Sequence, residues 1–163
     1  MKKENRTLLT FVIDDHKFAL PLQQVHRVIR AVAVTDVPDS GDMLHGVFDF
    51  HGEIIPVVSL RKRFCLHLKP ITPDDRFLIV NTPKRKLALV VDEVSDIKEV
   101  SENDLRETDV TAADSHQTKP AMAYFLRDDE QFFLICDMEA LMNHEMELQL
   151  DHVERMQEKD KQQ

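Results

Sequence analysis

The chain has 163 residues, of which 42% are hydrophobic and 31% charged, and it carries a net charge of −9. That length implies one domain or two small lobes, with enough apolar content for a real core. The acidic balance excludes a surface that tracks nucleic-acid phosphates, which needs clustered Lys and Arg. The basic runs Arg61–Arg63 and Lys84–Lys86 are short and read as solvated turns or helix faces. The two cysteines, Cys65 and Cys136, sit in apolar runs without a CxxC pair and read as buried free thiols. The N-terminal "MKKENRTLLTF" lacks the apolar core of a signal peptide. No stretch approaches the ~20 apolar residues of a membrane helix. The expectation is a soluble cytoplasmic protein without membrane insertion.

In chain order, "LLTFVI" (Leu8–Ile13) reads as a strand, "DDH" as a tight turn and "KFALPL" as the hairpin partner. "QVHRVIR" (Gln24–Arg30) is alternating and β-branched, and "AVAVTDVP" continues it, extended, to Pro38. "DSGD" is loop chemistry. "GVFDFHGEIIPVVSL" gives two strands joined near Gly52, and "SLRKRFCL" a short helix. After the connector "KPITPDD", "RFLIV" and "KLALVVDEV" flank "NTPKRK" as a second hairpin, and "SDIKEV" extends that sheet. From Glu93 to Asp114 there are eight acids and two bases, with Ser101 of "SENDL" as an N-cap to a short turn. "TDVTAADSHQTKPA" is a polar loop, and "AMAYFL" and "QFFLICDM" form a third hairpin across "RDDE". From Glu139 onward there is no Gly or Pro, and Met142, Met146, Leu150, Val153 and Met156 recur at spacings of three and four, predicting one long amphipathic helix. Nine or ten short strands with a terminal helix suggest small barrels or a sandwich. The chain has only three glycines, Gly41, Gly46 and Gly52. In a β-rich chain these mark positive φ or a close backbone approach.

Chemistry is sparse. If residues 45–51 are extended, His45, Asp49 and His51 share a face, and two His with a carboxylate can bind zinc or iron. That is the enzyme alternative, but no HxH, HExxH or CxxC anchors it. No nucleophile elbow, phosphate loop or dinucleotide fingerprint is present. The acids lie mainly in solvated runs. Asp92, at the end of "ALVVD", reads as a strand-end carboxylate accepting backbone N–H bonds rather than as a catalyst. With neither catalytic residues nor a cofactor indicated, a binding module is the expectation, with function on exposed strand faces.

Four ordered runs resemble the CheW family, the adaptors of bacterial chemosensory arrays. They are "FVIDDHKFALPLQQVHRVIR", "VPDSGDMLHGVFDFHGEIIPVVSLRKRF", "FLIV" with "LALVVDEVSDI", and "FFLICDMEALMN". The second is the most specific, and the third is similar to the family's second-lobe hairpin. The resemblance implies a mainly β fold, with two five-stranded SH3-like barrel lobes packed about a shared apolar core over residues 8–142, and a C-terminal α-helical extension over 143–163. It also implies a non-catalytic coupler between methyl-accepting chemoreceptors and a CheA-type histidine kinase. The receptor's cytoplasmic tip would enter the groove between lobes, and the first lobe would pair with the kinase's regulatory domain. The 21 residues after Met142 leave no room for an added receiver domain. The resemblance puts partner-binding residues at Val25, Arg27, Gly46, Asp49, His51 and Glu93.

The chain departs from the family's pattern at three of these. His51 stands where the family carries Arg before the second glycine, and Arg27 where it carries an acid. Glu93 follows the Asp of "VVD", where Gly is frequent. In the family the first two positions oppose each other as guanidinium and carboxylate in the receptor-facing region. Here the pair is Arg and His, which repel if His51 is charged and stack or hydrogen-bond if it is neutral. Two outcomes follow: a cognate partner with altered charges, or a divergent scaffold serving pilus motility or gene control.

Overall fold

The computed structural model describes residues 5–107, 122–128 and 131–161. Eleven strands run β1 (Asn5–Ile13), β2 (His16–Pro21), β3 (Val25–Arg30), β4 (Leu44–Phe50), β5 (Glu53–Val58), β6 (Arg76–Asn81), β7 (Lys86–Val91), β8 (Glu93–Ser101), β9 (Leu105–Glu107), β10 (Met122–Asp128) and β11 (Gln131–Cys136). The helices are α1 (Leu60–Arg63), α2 (Met138–Leu141) and α3 (His144–Lys161). Two sheets form, ordered β8-β1-β2-β11-β10-β9 and β3-β6-β7-β5-β4. The first sheet therefore takes the earliest and latest strands of the order, and the second takes those of the middle. The hairpin β6–β7 shares its sheet with β4 and β5.

The continuous apolar runs follow from burial on both strand faces. Along β6, Phe77 and Ile79 point into the second lobe with Phe48, Ile55, Val57 and Ala88. Leu78 and Val80 point the other way, into a central cluster with Leu9, Phe11, Phe18 and Leu20 of the first lobe. Leu8, Ala19, Val100, Phe133 and Ile135 fill the first lobe itself. Each lobe thus has a small core of its own, and the larger core lies between them. This is the shared apolar core that the resemblance implied.

The expected five-plus-five strand count becomes six plus five. The Glu102–Asp104 3₁₀ turn divides one strand into β8 and β9, which form the two edges of the first sheet, so that sheet has to curl. Ser101 caps the turn, its Oγ accepting from Asn103 N at 3.3 Å. In the second sheet the edges are β3 and β4. The segment that follows β3 meets β4 through one antiparallel bridge, Thr35 to Val47, with N–H···O distances of 2.8 and 2.9 Å. The run Ala31–Pro38, expected as continued strand, pairs only there among the described residues. Gly46 permits the closure: its φ is +139°, and a Cβ there would lie 2.2 Å from the Thr35 carbonyl oxygen.

Ser59 caps α1, its Oγ accepting from Lys62 N at 3.2 Å. The long terminal helix is broken. Met142 is extended, with ψ of 113°, and Asn143 restarts the helix by accepting from Met146 N at 2.8 Å. Met146, Leu150 and Val153 are then fully buried in the central cluster. The basic turn before β7 holds α3 from outside. Arg85, nearly buried, lies 2.6 Å from Asp151 and 2.8 Å from Glu154. Arg85 and Arg61 are therefore not the solvated side chains their runs suggested. Cys136 is buried and its thiol is pushed up to about 12 by burial, leaving it inert. Cys65 is instead exposed, in a left-handed conformation (φ +57°) just past the end of α1. The polar loop predicted after Glu107 lies outside the described residues. Replacing Leu150 by Ala should lower stability by about 3 kcal/mol, the usual cost of a buried leucine cavity. Chemical denaturation of the two proteins side by side measures it.

Candidate functional site

The β4–β5 hairpin builds its tip from two left-handed residues, His51 (φ +54°) and Gly52 (φ +88°). This is a two-residue connection of the kind that fits strand twist. Asp49 fastens it, its Oδ1 accepting from Gly52 N at 2.7 Å. The tip lies beside β3. The Arg27 guanidinium stands 5.8 Å from the Phe50 ring centroid, and the His51 ring meets the same ring edge-on at 4.4 Å. Arg27 and His51 are both exposed and flank one aromatic side chain. Phe50 separates the two groups whose sequence positions raised the question of repulsion.

The remaining family-inferred positions fall apart in space. Val25 is half-buried, opposite Val80 and packed on the central core. Gly46 is buried where the sheet closes. Glu93 is exposed on the first sheet, opposite Val12. The structure therefore gathers Arg27, Asp49 and His51 at one hairpin tip and gives Val25, Gly46 and Glu93 separate places.

The metal alternative fails on geometry. A bulge between Leu44 and Gly46 breaks the alternation that would align His45 with Asp49, and His51 has left the strand for the turn. His45 instead faces Ala31, Val34 and Ile71. Its imidazole is held below the usual 6.5 by burial, against the opposing attraction of Asp75. Among the described residues no three His, Cys, Asp or Glu side chains converge to hold an ion.

Sequence reasoning missed the polar centre of the molecule. Arg61, 8% exposed, donates from Nη1 to Asp14 Oδ1 (2.8 Å) and His67 O (2.9 Å), and from Nη2 to both Asp92 carboxylate oxygens (2.8 and 2.9 Å). Asp14 is in the β1–β2 turn, Arg61 in α1, and Asp92 between β7 and β8, where the chain crosses from one sheet to the other. Asp92 also accepts from Asp14 N at 2.7 Å, the backbone role its strand-end position suggested. Lys69 adds a cation 3.7 Å from Asp92 and 3.2 Å from the buried Asp75. Burial would raise the Asp92 pKa, but the Asp14 N–H, Arg61 and Lys69 together hold it below the ordinary carboxylate value. No local signal separates Arg61 from Lys62 or Arg63. Only its reach across the lobe junction does.

Two hollows share Gln24 and Asp137, and only the second has walls from both lobes. One, of about 780 Å³, extends along Asn5, Thr7 and Leu22. The other, of about 590 Å³, is lined by Pro83, Met138 and Met142. Gln24 Oε1 accepts from Met138 N at 3.2 Å and ties the floor together.

Two curled sheets, a shared core, an interlobe cleft and a charged hairpin tip define a binding module. The chain belongs to the CheW family: the model described as "CheW-like domain" matches residues 7–146. Membership places it among non-enzymatic scaffolds. Among its relatives, the chemotaxis protein CheW of Bacillus subtilis is 24% identical over 88% of this chain and 90% of its own length. That of Rhizobium meliloti is 30% identical, over 67% of this chain and 70% of its own. The match to CheW of Helicobacter pylori, 24% identical, covers 65% of this chain and spans 64% of the relative's length, just under two thirds. A crystal structure of the scaffolding protein TtCheW from Thermoanaerobacter tengcongensis superposes with a TM-score of 0.73 at 23% identity, over 82% of this chain and 89% of that one. Among the described residues no helix is long and apolar enough to cross a membrane.

Two outcomes follow from the polar geometry. Arg61→Ala should cost about 3 kcal/mol, because it leaves Asp92 without its guanidinium. Removing the exposed Arg6–Glu102 pair should cost under about 1 kcal/mol, and thermal unfolding of both variants makes the comparison. His45 contributes a pH dependence. Its folded pKa is depressed, so the unfolded chain binds the proton first as pH falls. Stability should be full above pH 6.5 and decline below it, and in His45→Gln the decline between about pH 7 and 5 should be smaller.

Proposed function

We propose that this CheW-family domain couples methyl-accepting chemoreceptors to a CheA-type histidine kinase as a non-enzymatic adaptor in a bacterial chemosensory pathway. The receptor's helical tip occupies the interlobe cleft, and the kinase's regulatory domain pairs with one lobe. The observation that carries this reading is that the most family-like run, Val37–Phe64, contains the β4–β5 hairpin, whose tip is exposed beside Arg27 of β3. A rod-like helical hairpin suits an elongated hollow with methionine and proline walls, since Met adapts its shape to a partner surface. The domain works at the cytoplasmic side of the membrane, recruited to receptor arrays by its partners. Arg27 in place of the family's acid fits either a cognate partner with altered charges or a divergent scaffold serving pilus motility or gene control.

Purified domain should retain both the cognate kinase's regulatory domain and a soluble receptor-tip fragment in pull-downs. His51→Ala should weaken at least one interaction without moving the unfolding midpoint. Recovery of neither partner sinks the coupling assignment.

A further inference from the structure

The Arg27 tip carries an unbalanced charge. Asp49 is engaged by the Gly52 N–H, and Glu53 pairs with Lys86 at 3.0 Å. Neither acid beside the patch turns to Arg27. Among the described residues no carboxylate lies within ion-pair distance of Arg27, Arg30 or Arg76. By contrast Arg6, Arg61 and Arg85 all have carboxylate partners. Arg30 even stands directly opposite Arg76 across the β3–β6 ladder, a like-charge pairing that weakens a sheet. Arg76 relieves it only by donating to the backbone oxygens of Asp74 and Asp75, at 2.9 and 3.1 Å. A chain of net charge −9 thus presents one edge strand with open guanidinium groups.

We infer that Arg27, pre-positioned on Phe50 and flanked by His51, receives a carboxylate from the helical tip of the cognate receptor, making a docking contact of opposite polarity to the family's acid at this position. This rests on the coupling reading above and names the chemistry of its receptor contact. Two features favour the receptor tip as the source. The Leu22–Gln24 turn that lines the cleft runs directly into β3, so Arg27 lies about 10 Å past Gln24 along the strand. A helical rod filling the cleft and extending past Gln24 crosses this end of β3. An Arg fork held against an aromatic face also loses little freedom on pairing with a carboxylate, so it selects that group over a neutral one.

The test measures binding of the full chain to a soluble fragment carrying the receptor tip from the same organism, by fluorescence anisotropy at low and moderate salt. Arg27→Ala should weaken binding about 10-fold and Arg27→Glu further, with a shallower salt dependence. Changing a tip acid to Lys should restore binding to Arg27→Glu and impair binding to the unaltered chain. Arg27→Gln controls for shape, and unfolding midpoints confirm that the variants fold. If the unaltered chain binds the tip and Arg27→Glu binds within about twofold of it, the inference is wrong and the coupling reading stands. If the unaltered chain binds the kinase domain but not the tip, the receptor half of the coupling reading is lost, and this inference with it.

Discussion

The buried guanidinium of Arg61 fixes how the two lobes stand to one another. A charge this far from water is tolerable only when its donors are met. Its acceptors come from the β1–β2 turn of one sheet, the loop after α1, and the residue at which the chain leaves β7 for β8. The apolar cluster between the lobes supplies the larger share of stability, since hydrophobic burial dominates folding. That force is non-directional, however, and tolerates sliding. The bidentate Arg61–Asp92 pair, with Asp14 bound to both partners, supplies direction.

The cleft depends on that fixed junction. Its floor joins Gln24, at the crossing from β2 to β3, to Met138, at the exit from β11. Those crossings are where the chain passes between lobes or leaves the last strand, so the hollow keeps its shape only while the lobes keep their angle. The helix α3 buries three side chains in the same core, and its acids surround Arg85. Arg61 and Arg85 thus tether opposite parts of one interlobe core.

The hairpin tip follows a different rule. Its acids are committed to local geometry, Asp49 to the turn and Glu53 to Lys86, while Arg27 beside it is exposed on β3. Recognition surfaces gain specificity from charges left without an internal partner, because a wrong partner then leaves them unpaired. The fold of this family is retained here, with Arg27 exposed on β3 beside the hairpin tip.

The pattern of local chemistry determined much of this by itself. Period-two strands, the "DDH" and "HG" turns and the Ser101 cap are each set by neighbours within a few residues, and all are legible in the sequence. The ordered runs carried the family, and with it the two-lobed fold. Tertiary structure alone decided the rest. It placed β6–β7 in the sheet of β4–β5, broke the last helix at Asn143, and turned His45 away from Asp49 through a bulge. It also buried Arg61 and Arg85 while leaving Cys65 exposed. Each of these depends on contacts between residues distant in the chain, and a basic triplet looks the same in sequence whether its guanidinium meets water or two carboxylates far along the chain.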